Sequence, residues 1–392
     1  MRAVEHVSTP PNVALLAEVS SPHARGLIRG ISRFAQASGP WRLHLLELLR
    51  PADIRRSLDA WHCDGLIARV KTPAIAEAIS QYQIPVVNVS GAAAIGTWPR
   101  VDTDDVAVCW LAAAHLLERG YRAFGFCSMP HYEWSRRREA LFAAELRRRG
   151  HACEAIELAS LTLETTIRQR DQRKLVEWIR SLPRPAGIMA CSDYCGRVVL
   201  EACDEAGVAV PDQVGVIGVD NNELLCELCW PPLSSIAANT ERIGYVAAEI
   251  LAQLLQGAHP PVRERLIKPT RLVSRRSTDA TSVGEPVVAE AIRFLRAYAC
   301  GDIGVLDIAQ HVNVSRRYLE QQFQKALGRS IFSEIQRVRL ETAQRLLGET
   351  HWKLEAIAER TGFKHAARMS AVFQQKLHVR PGQYRRRMQN RD

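Results

Sequence analysis

Two sets of residues in this 392-residue chain have types and spacings that could do chemistry. One lies toward the C-terminus: Ser315, Arg316, Arg317, Glu320 and Gln321, then Lys364, His365, Ala367, Arg368 and Ser370, with Arg385 beyond them. Cationic side chains repeated along short helices neutralise phosphates, and a guanidinium also matches the N7 and O6 acceptors of guanine through two parallel hydrogen bonds. Arg317 and Arg368 are therefore expected at base edges. Arg316, Lys364 and Arg385 are expected at phosphates, which position a duplex without specifying its sequence. The other set is dispersed: Glu18, Ser20, Ser21 and His23, then Asn88 and Ser90, then Ser192 and Asp193, and finally Asp220, Asn221 and Asn222. Each group follows a short apolar run, and in parallel sheets ligands bind outside the carboxyl ends of the strands.

Other chemistries find little support. The only metal-like spacing, Cys226-Glu227-Leu228-Cys229, lacks the second ligand pair that structural zinc needs, so no metal is expected. The ten cysteines, several in apolar stretches (Cys127, Cys191, Cys203), read as packed thiols of a reducing compartment. There is no phosphate-cradling glycine loop, His-Glu-x-x-His, nucleophile elbow or recognisable acid pair. An enzyme of sugar metabolism is thus the weaker alternative, as is a pure binding module with an incidental basic tail. No catalytic residue and no cofactor is assigned.

The basic residues belong to a stretch, Val305 to Tyr384, that repeats itself. Ile308-Ala309 recurs as Ile357-Ala358, and Leu319 with Phe323 recurs as Met369 with Phe373. Each copy reads as a short helix, a tight turn and a second helix, with apolar residues three and four apart. The small Ala309 and Ala358 permit close helix approach, and Asn313 and Gly362 suit the turns. Between the copies, Ile331, Ile335, Val338, Leu346 and Leu347 mark a long amphipathic helix, with Ser330 as its N-cap and Gly348 near its end. This predicts two helix-turn-helix heads on one connecting helix, opened by a further helix over Val288 to Ala299. Charge agrees. Residues 286–392 carry 19 Lys+Arg against 10 Asp+Glu, the whole chain 52 against 42, which leaves 33 against 32 for the rest. Nearly all the basic excess lies where a phosphate backbone would be met.

These motifs, with the closing Phe373-Gln374-Gln375-Lys376 and Arg380-Pro381-Gly382-Gln383-Tyr384-Arg385, resemble the DNA-binding domain of the AraC family of bacterial transcription regulators. The small Ala366, Ala367 and Ala371 in or near the second head's recognition face depart from that family's pattern and point to weaker base reading there, with a role partly in backbone binding.

The dispersed polar residues need a different scaffold. Strands are expected at Val13 to Ala17, Arg42 to Leu46, Gly65 to Ala68, Pro85 to Val89, Phe124 to Cys127, Gly187 to Cys191 and Val214 to Val219, with amphipathic helices between them. That alternation means doubly wound parallel sheets, and pattern shifts near Val101 to Asp105 and Asn221 to Thr240 favour two lobes over one wide sheet. The stretches Ile188-Met189-Ala190-Cys191-Ser192-Asp193 and Val214-Gly215-Val216-Ile217-Gly218-Val219-Asp220-Asn221 resemble the sugar-sensing core of the lactose-repressor type, itself similar to periplasmic sugar-binding proteins. The resemblance implies that Asp220 accepts hydrogen bonds from ligand hydroxyls. It also implies that Arg138, in Trp134-Ser135-Arg136-Arg137-Arg138-Glu139-Ala140, donates to the same ligand. Asp193 is a further ligand candidate, that family more often having Asn where Ser192 or Asp193 stands; Ser21 and His23 are proposed from position alone.

The order of parts, including Arg271-Leu272-Val273-Ser274-Arg275-Arg276-Ser277-Thr278-Asp279, resembles the family of bacterial xylose operon regulatory proteins over nearly the whole length. It implies a two-lobed periplasmic-binding-protein-like sugar-sensing domain (1–275), a linker (276–286) and an all-α double helix-turn-helix DNA-binding domain (287–392). It further implies a transcription regulator that binds operator DNA and a small sugar, a pentose such as D-xylose, as a homodimer, with RNA polymerase as partner if it activates. A cytoplasmic location is expected, because Met1 to Asn12 shows no secretory pattern and no apolar run could span a membrane.

Overall fold

Runs of β-branched and aliphatic residues separated by amphipathic stretches become buried strands and covering helices in the computed structural model. It describes residues 10–47, 50–91, 97–161, 168–258, 263–279, 286–377 and 379–389. The chain forms two units, 1–280 and 281–392. Residues 1–9 of the segment Met1 to Asn12, and residues 280–285 of the expected linker, lie outside the described residues.

The first lobe opens with β1 (Asn12–Leu16), α1 (Pro22–Ser38), β2 (Arg42–Leu46), α2 (Pro51–Trp61), β3 (Gly65–Ala68), α3 (Pro73–Ser80), β4 (Val86–Asn88) and β5 (Arg100–Thr103). The chain then crosses to a second lobe: α4 (Asp105–Glu118), β6 (Ala123–Ser128), α5 (Glu133–Arg148), β7 (Glu154–Glu157), α6 (Gln169–Ser181), β8 (Ala186–Ala190), α7 (Asp193–Ala206), β9 (Val214–Val219), α8 (Glu223–Leu228) and β10 (Ser234–Ala237). It returns to the first lobe for α9 (Thr240–Leu255) and β11 (Glu264–Ile267), and crosses again to β12 (Arg271–Val273) and a 3-10 turn, Arg276–Thr278. The sheet orders are β11-β5-β4-β3-β1-β2, parallel throughout, and β12-β10-β9-β8-β6-β7, parallel except for β12. Three connections therefore join the lobes, and two lie side by side: Thr103 pairs with Ile267, and Asp104 N–H donates to the Ile267 carbonyl (2.9 Å).

Helices α1 and α9 cross closely over the first sheet. A Cβ on Gly30 would lie 1.9 Å from the Glu241 carbonyl oxygen, and one on Gly244 would lie 2.0 Å from that of Leu27. Because backbone rather than a pliable side chain would be struck, Gly30→Ala should destabilise the protein by about 1–3 kcal/mol. Thermal unfolding followed by circular dichroism reads this directly; an unchanged melting point would mean the crossing widens freely.

The segment read from sequence as the start of the linker is bound to the second lobe. Ser277 and Thr278 are buried; Ser277 Oγ donates to the Val216 carbonyl (2.6 Å) and accepts from Ser234 N–H (2.8 Å), and Thr278 Oγ1 meets His115 (2.7 Å) and Ser234 (2.6 Å). Hydroxyls suit a linker by composition, but here they satisfy buried backbone groups.

The second unit comprises α10 (Pro286–Tyr298), α11 (Val305–His311), α12 (Arg316–Leu327), α13 (Ile331–Glu349), α14 (Leu354–Arg360), α15 (Ala366–Leu377) and α16 (Pro381–Gln389). It has two cores sharing α13. Ile331 and Ile335 pack with Ile292, Leu295, Ile308, Leu319 and Phe323, whereas Leu340, Ala343 and Leu347 pack with Ile357, Phe363, Met369 and Phe373. Ser330 caps α13 by accepting from Ser333 N–H (3.1 Å), and the two turns carry Asn313 and Gly362 at φ +54° and +75°.

Candidate functional site: an interlobe cavity and two helix-turn-helix heads

The strand ends of both lobes meet at one cavity of about 340 Å³, whose lining includes Ser21, His23, Arg138, Asp193 and Asp220. All five proposed ligand residues are thus brought together. Ser21 and Pro22 begin α1, Arg138 faces inward from the first turns of α5, and Asp193 begins α7 beside the end of β9, where Asp220 follows.

Asp220 sits in backbone that residues with a Cβ rarely adopt, φ +102°, followed by Asn221 at +51°. Neighbouring groups hold it there. Asp220 N–H donates to the Ile236 carbonyl (2.9 Å), Asn221 N–H to Ser235 Oγ (3.0 Å), and Asn222 N–H to Asp193 Oδ2 (2.7 Å), while Ser235 Oγ donates to Asp193 Oδ1 (2.5 Å). The carboxylate of Asp193 can come this close only because residue 218 is glycine, whose Cβ would lie 2.3 Å from Asp193 Oδ1. Both Asp193 oxygens already accept hydrogen bonds, so its evident work is to shape the Asp220 turn. Burial and the adjacent Asp220 push its carboxyl up to about 7. Burial acts on Asp220 in the same sense, but His23, Arg138 and Arg69 outweigh it and hold Asp220 below the usual carboxylate range. His23 Nδ1 lies 3.7 Å from Asp220 Oδ1, a contact from one lobe to the other.

Arg138 is oriented from behind. Its Nε donates to Asp105 Oδ1 (2.8 Å), its Nη1 to the Cys191 carbonyl (2.7 Å), and its guanidinium lies 5.1 Å from the centre of the Trp134 ring. Asp105 also holds Arg137 (2.8 Å), which reaches Asp102 (3.1 Å). Sequence reasoning missed Arg69, Lys71, Asp102, Thr103, Tyr132 and Trp134, all of which line the cavity. Arg69, Lys71 and Thr103 follow or end strands, so the strand-end rule could have found them had β5 been recognised and the residues after β3 considered. The cations of the lining face acids: Arg69 and Lys71 meet Glu18 (3.3 and 2.6 Å), and Arg137 and Arg138 meet Asp105. Paired charges leave directional donors and acceptors without a strong net field, which suits a neutral polyol better than a phosphate ester.

In the second unit, Arg317 and Gln321 project from α12, and Ala367 and Arg368 from α15, all exposed. Pairing the buried anchors Leu319 with Met369 and Phe323 with Phe373 sets Arg317 opposite Ala367 and Gln321 opposite Ala371; Arg368 matches Tyr318 instead. Ser315 caps α12, its hydroxyl accepting from Tyr318 N–H (3.2 Å), and Arg316 pairs with Glu320 (2.9 Å). Lys364 and His365 precede α15 rather than lying on it; Lys364, at φ +63°, pairs with Asp302 (2.7 Å). Ser370 is half-buried, and Arg385 donates to the Trp352 carbonyl. Among the described residues no helix is long and apolar enough to cross a membrane, and no cluster of three or more His, Cys, Asp and Glu could hold a metal.

Comparison with known proteins places these parts in context. A family profile described as XylR N-terminal domain matches residues 12–105, a periplasmic binding protein-like domain matches 113–278, and a helix-turn-helix domain matches 308–387. The xylose operon regulatory protein of Escherichia coli (strain K12) is 31% identical over 387 residues, covering 95% of this chain and 96% of that protein. That of Haemophilus influenzae is 31% identical over 385 residues, covering 95% and 97%. A solved structure of the xylose-binding transcription activator xylR aligns with TM-score 0.64 and 28% identity over 96% of this chain and 98% of that one.

Proposed function

The chain belongs to the family of xylose operon regulatory proteins, and from that premise we propose that it senses a pentose, D-xylose first among them, between its two lobes and adjusts its grip on operator DNA accordingly. It is a transcription regulator, not an enzyme. The observation that carries the sensing role is the convergence of His23 from one lobe with Asp220 and Arg138 from the other on a single cavity. Asp220 accepts from ligand hydroxyls. Arg138, with Nε and Nη1 committed to Asp105 and Cys191, donates through Nη2. Ser21 and His23 close over the sugar, and Asp193 contributes through the Asp220 turn.

A ligand that bridges the lobes favours the closed arrangement, and its differential affinity for closed over open is all the energy available for signalling. The chain leaves the sensing unit from the second lobe, through the 3-10 turn pinned on β9 and β10, so lobe motion carries that exit with it. Each helix-turn-helix places its second helix in a major groove, the two heads reaching faces about one helical turn, roughly 34 Å, apart. In the first head Arg317 takes a guanine edge, with Ser315, Glu320 and Gln321 beside it and Arg316 on phosphate. In the second, Arg368 is the base-reading candidate, Lys364 and Arg385 hold backbone, and His365, Ala367 and Ser370 border the groove. We assign a cytoplasmic homodimer; the solved relative is titled a transcription activator, and if this chain activates too, RNA polymerase is its further partner.

Operator binding measured across a panel of pentoses and hexoses tests this. A pentose should change the dissociation constant, and Arg317→Ala should lose about 1–3 kcal/mol of specific affinity while sugar binding is retained. Identical operator affinity with every carbohydrate would remove the proposed coupling.

A further inference from the structure

Most buried polar atoms in the sensing unit are paired, but two that are not belong to residues of the cavity wall. Among the described residues, Thr103 Oγ1 and Arg69 Nε are buried without a hydrogen-bond partner, and both side chains line the interlobe cavity. Thr103 is the sharper case. It is 2% exposed, its backbone N–H is satisfied by Asp102 Oδ1 (2.8 Å), and its buried hydroxyl has no hydrogen-bond partner. A buried orphan hydroxyl costs stability, so a valine of the same shape would serve a purely structural role at least as well. Its position also matters. Thr103 ends β5, beside Ile267 at the end of β11, so it stands on one of the three connections between the lobes and next to a second.

We propose that Thr103 is a specificity-determining ligand contact mounted on the hinge. Its hydroxyl bonds one hydroxyl of the sugar, next to Arg69, so that occupancy is felt directly where the lobes pivot. The inference rests on the sugar-sensing reading above and adds to it the residue that makes one hydroxyl of the ligand count. Arg69, which follows β3 and lines the same cavity, has its Nη1 held by Glu18 (3.3 Å), while its buried Nε has no hydrogen-bond partner.

Thr103→Val separates a ligand contact from a packing role, because the two move opposite quantities. Without sugar the variant should melt about 2–4 °C higher, as the unbonded hydroxyl is removed. With D-xylose its dissociation constant should rise about three- to ten-fold, the loss of one neutral hydrogen bond. Titration with the monodeoxy analogues of D-xylose then identifies the hydroxyl concerned. Wild type should lose affinity for every analogue, whereas Thr103→Val should be indifferent to the loss of one particular hydroxyl. Thr103→Ser, which keeps the oxygen, should restore that discrimination, and it also serves if the valine variant folds poorly. Equal affinity of wild type and Thr103→Val, or equal sensitivity of both to every deoxy position, overturns the assignment. A wild-type protein that binds no pentose or hexose instead overturns the sensing reading on which it rests.

Discussion

Asp220→Ala should abolish the stabilisation that a pentose confers on the full-length protein. In the wild type, a sugar present at one hundred times its dissociation constant adds about 2.7 kcal/mol, visible as a higher melting point. The variant should show no shift at the same concentration, because truncating one member of a buried charged constellation typically costs 2–5 kcal/mol in binding. Most of that loss comes from what is left behind. Asp220 faces His23, Arg138 and Arg69, which hold it ionised despite its burial. Without it, the cations converge on a ligand that can accept from them but no longer finds a strong acceptor for its own hydroxyls. Asp220→Asn separates shape from charge, since asparagine tolerates the left-handed turn at φ +102° and keeps an oxygen acceptor. It should retain a reduced shift. A full shift in Asp220→Ala would move the binding site out of this cavity.

The parts of this molecule legible in its sequence are those where one physical requirement dominates. Strands buried on both faces, such as β1, β8 and β9, must be continuously apolar, and they stood out. The doubled heads stood out because each must bury the same stripe, Ile308, Leu319 and Phe323 or Ile357, Met369 and Phe373. What stayed hidden lacks such a signal. Strands β7 and β11 lie at or next to sheet edges with exposed polar residues, and β5 (Arg100–Thr103) is polar because it ends in the cavity. Missing β5 and β11 also hid the side-by-side connections between the lobes and therefore Thr103. Asp220 was placed by its position after a strand, but its ligand role, and Arg138 altogether, came only through resemblance, since nothing local in the sequence tells an aspartate held at φ +102° from an ordinary turn. The wiring behind them, Asp105 to Arg137 and Arg138, joins residues more than thirty positions apart and becomes visible only when the sheet closes.

Glu334→Gln should destabilise the first head by about 3 kcal/mol near neutral pH and erase most of its sensitivity to acid. Glu334 lies in the first turn of α13 with its side chain fully buried, against Arg337 (2.5 Å), Arg329 (2.8 Å) and Arg296 (3.9 Å). Burial alone would raise its pKa, but the Arg337 hydrogen bonds and the three guanidinium charges outweigh it and hold the carboxyl down at about 2, against 4.5 for the free group. A depressed folded-state pKa means that the stabilisation is fully present above the unfolded value near 4.5 and is lost as pH falls toward 2. The gap is worth about 3 kcal/mol, at 1.36 kcal/mol per unit. Removing the side chain altogether, in Glu334→Ala, costs about 3–5 kcal/mol, because three arginines are left around an empty anion position. Hydrogen exchange of the full-length protein locates the effect: amides of α10, α12 and α13 should exchange faster in Glu334→Gln at pH 7, and between pH 4.5 and 2 the variant and wild type should converge. Since Leu319 and Phe323 anchor α12 on Ile331 and Ile335 of the same α13 turn, operator affinity should fall with that protection while the pentose-induced shift survives. A variant with unaltered exchange at pH 7 and an undiminished acid slope would show that the arginines are content with solvent, and that the carboxylate merely sits among them.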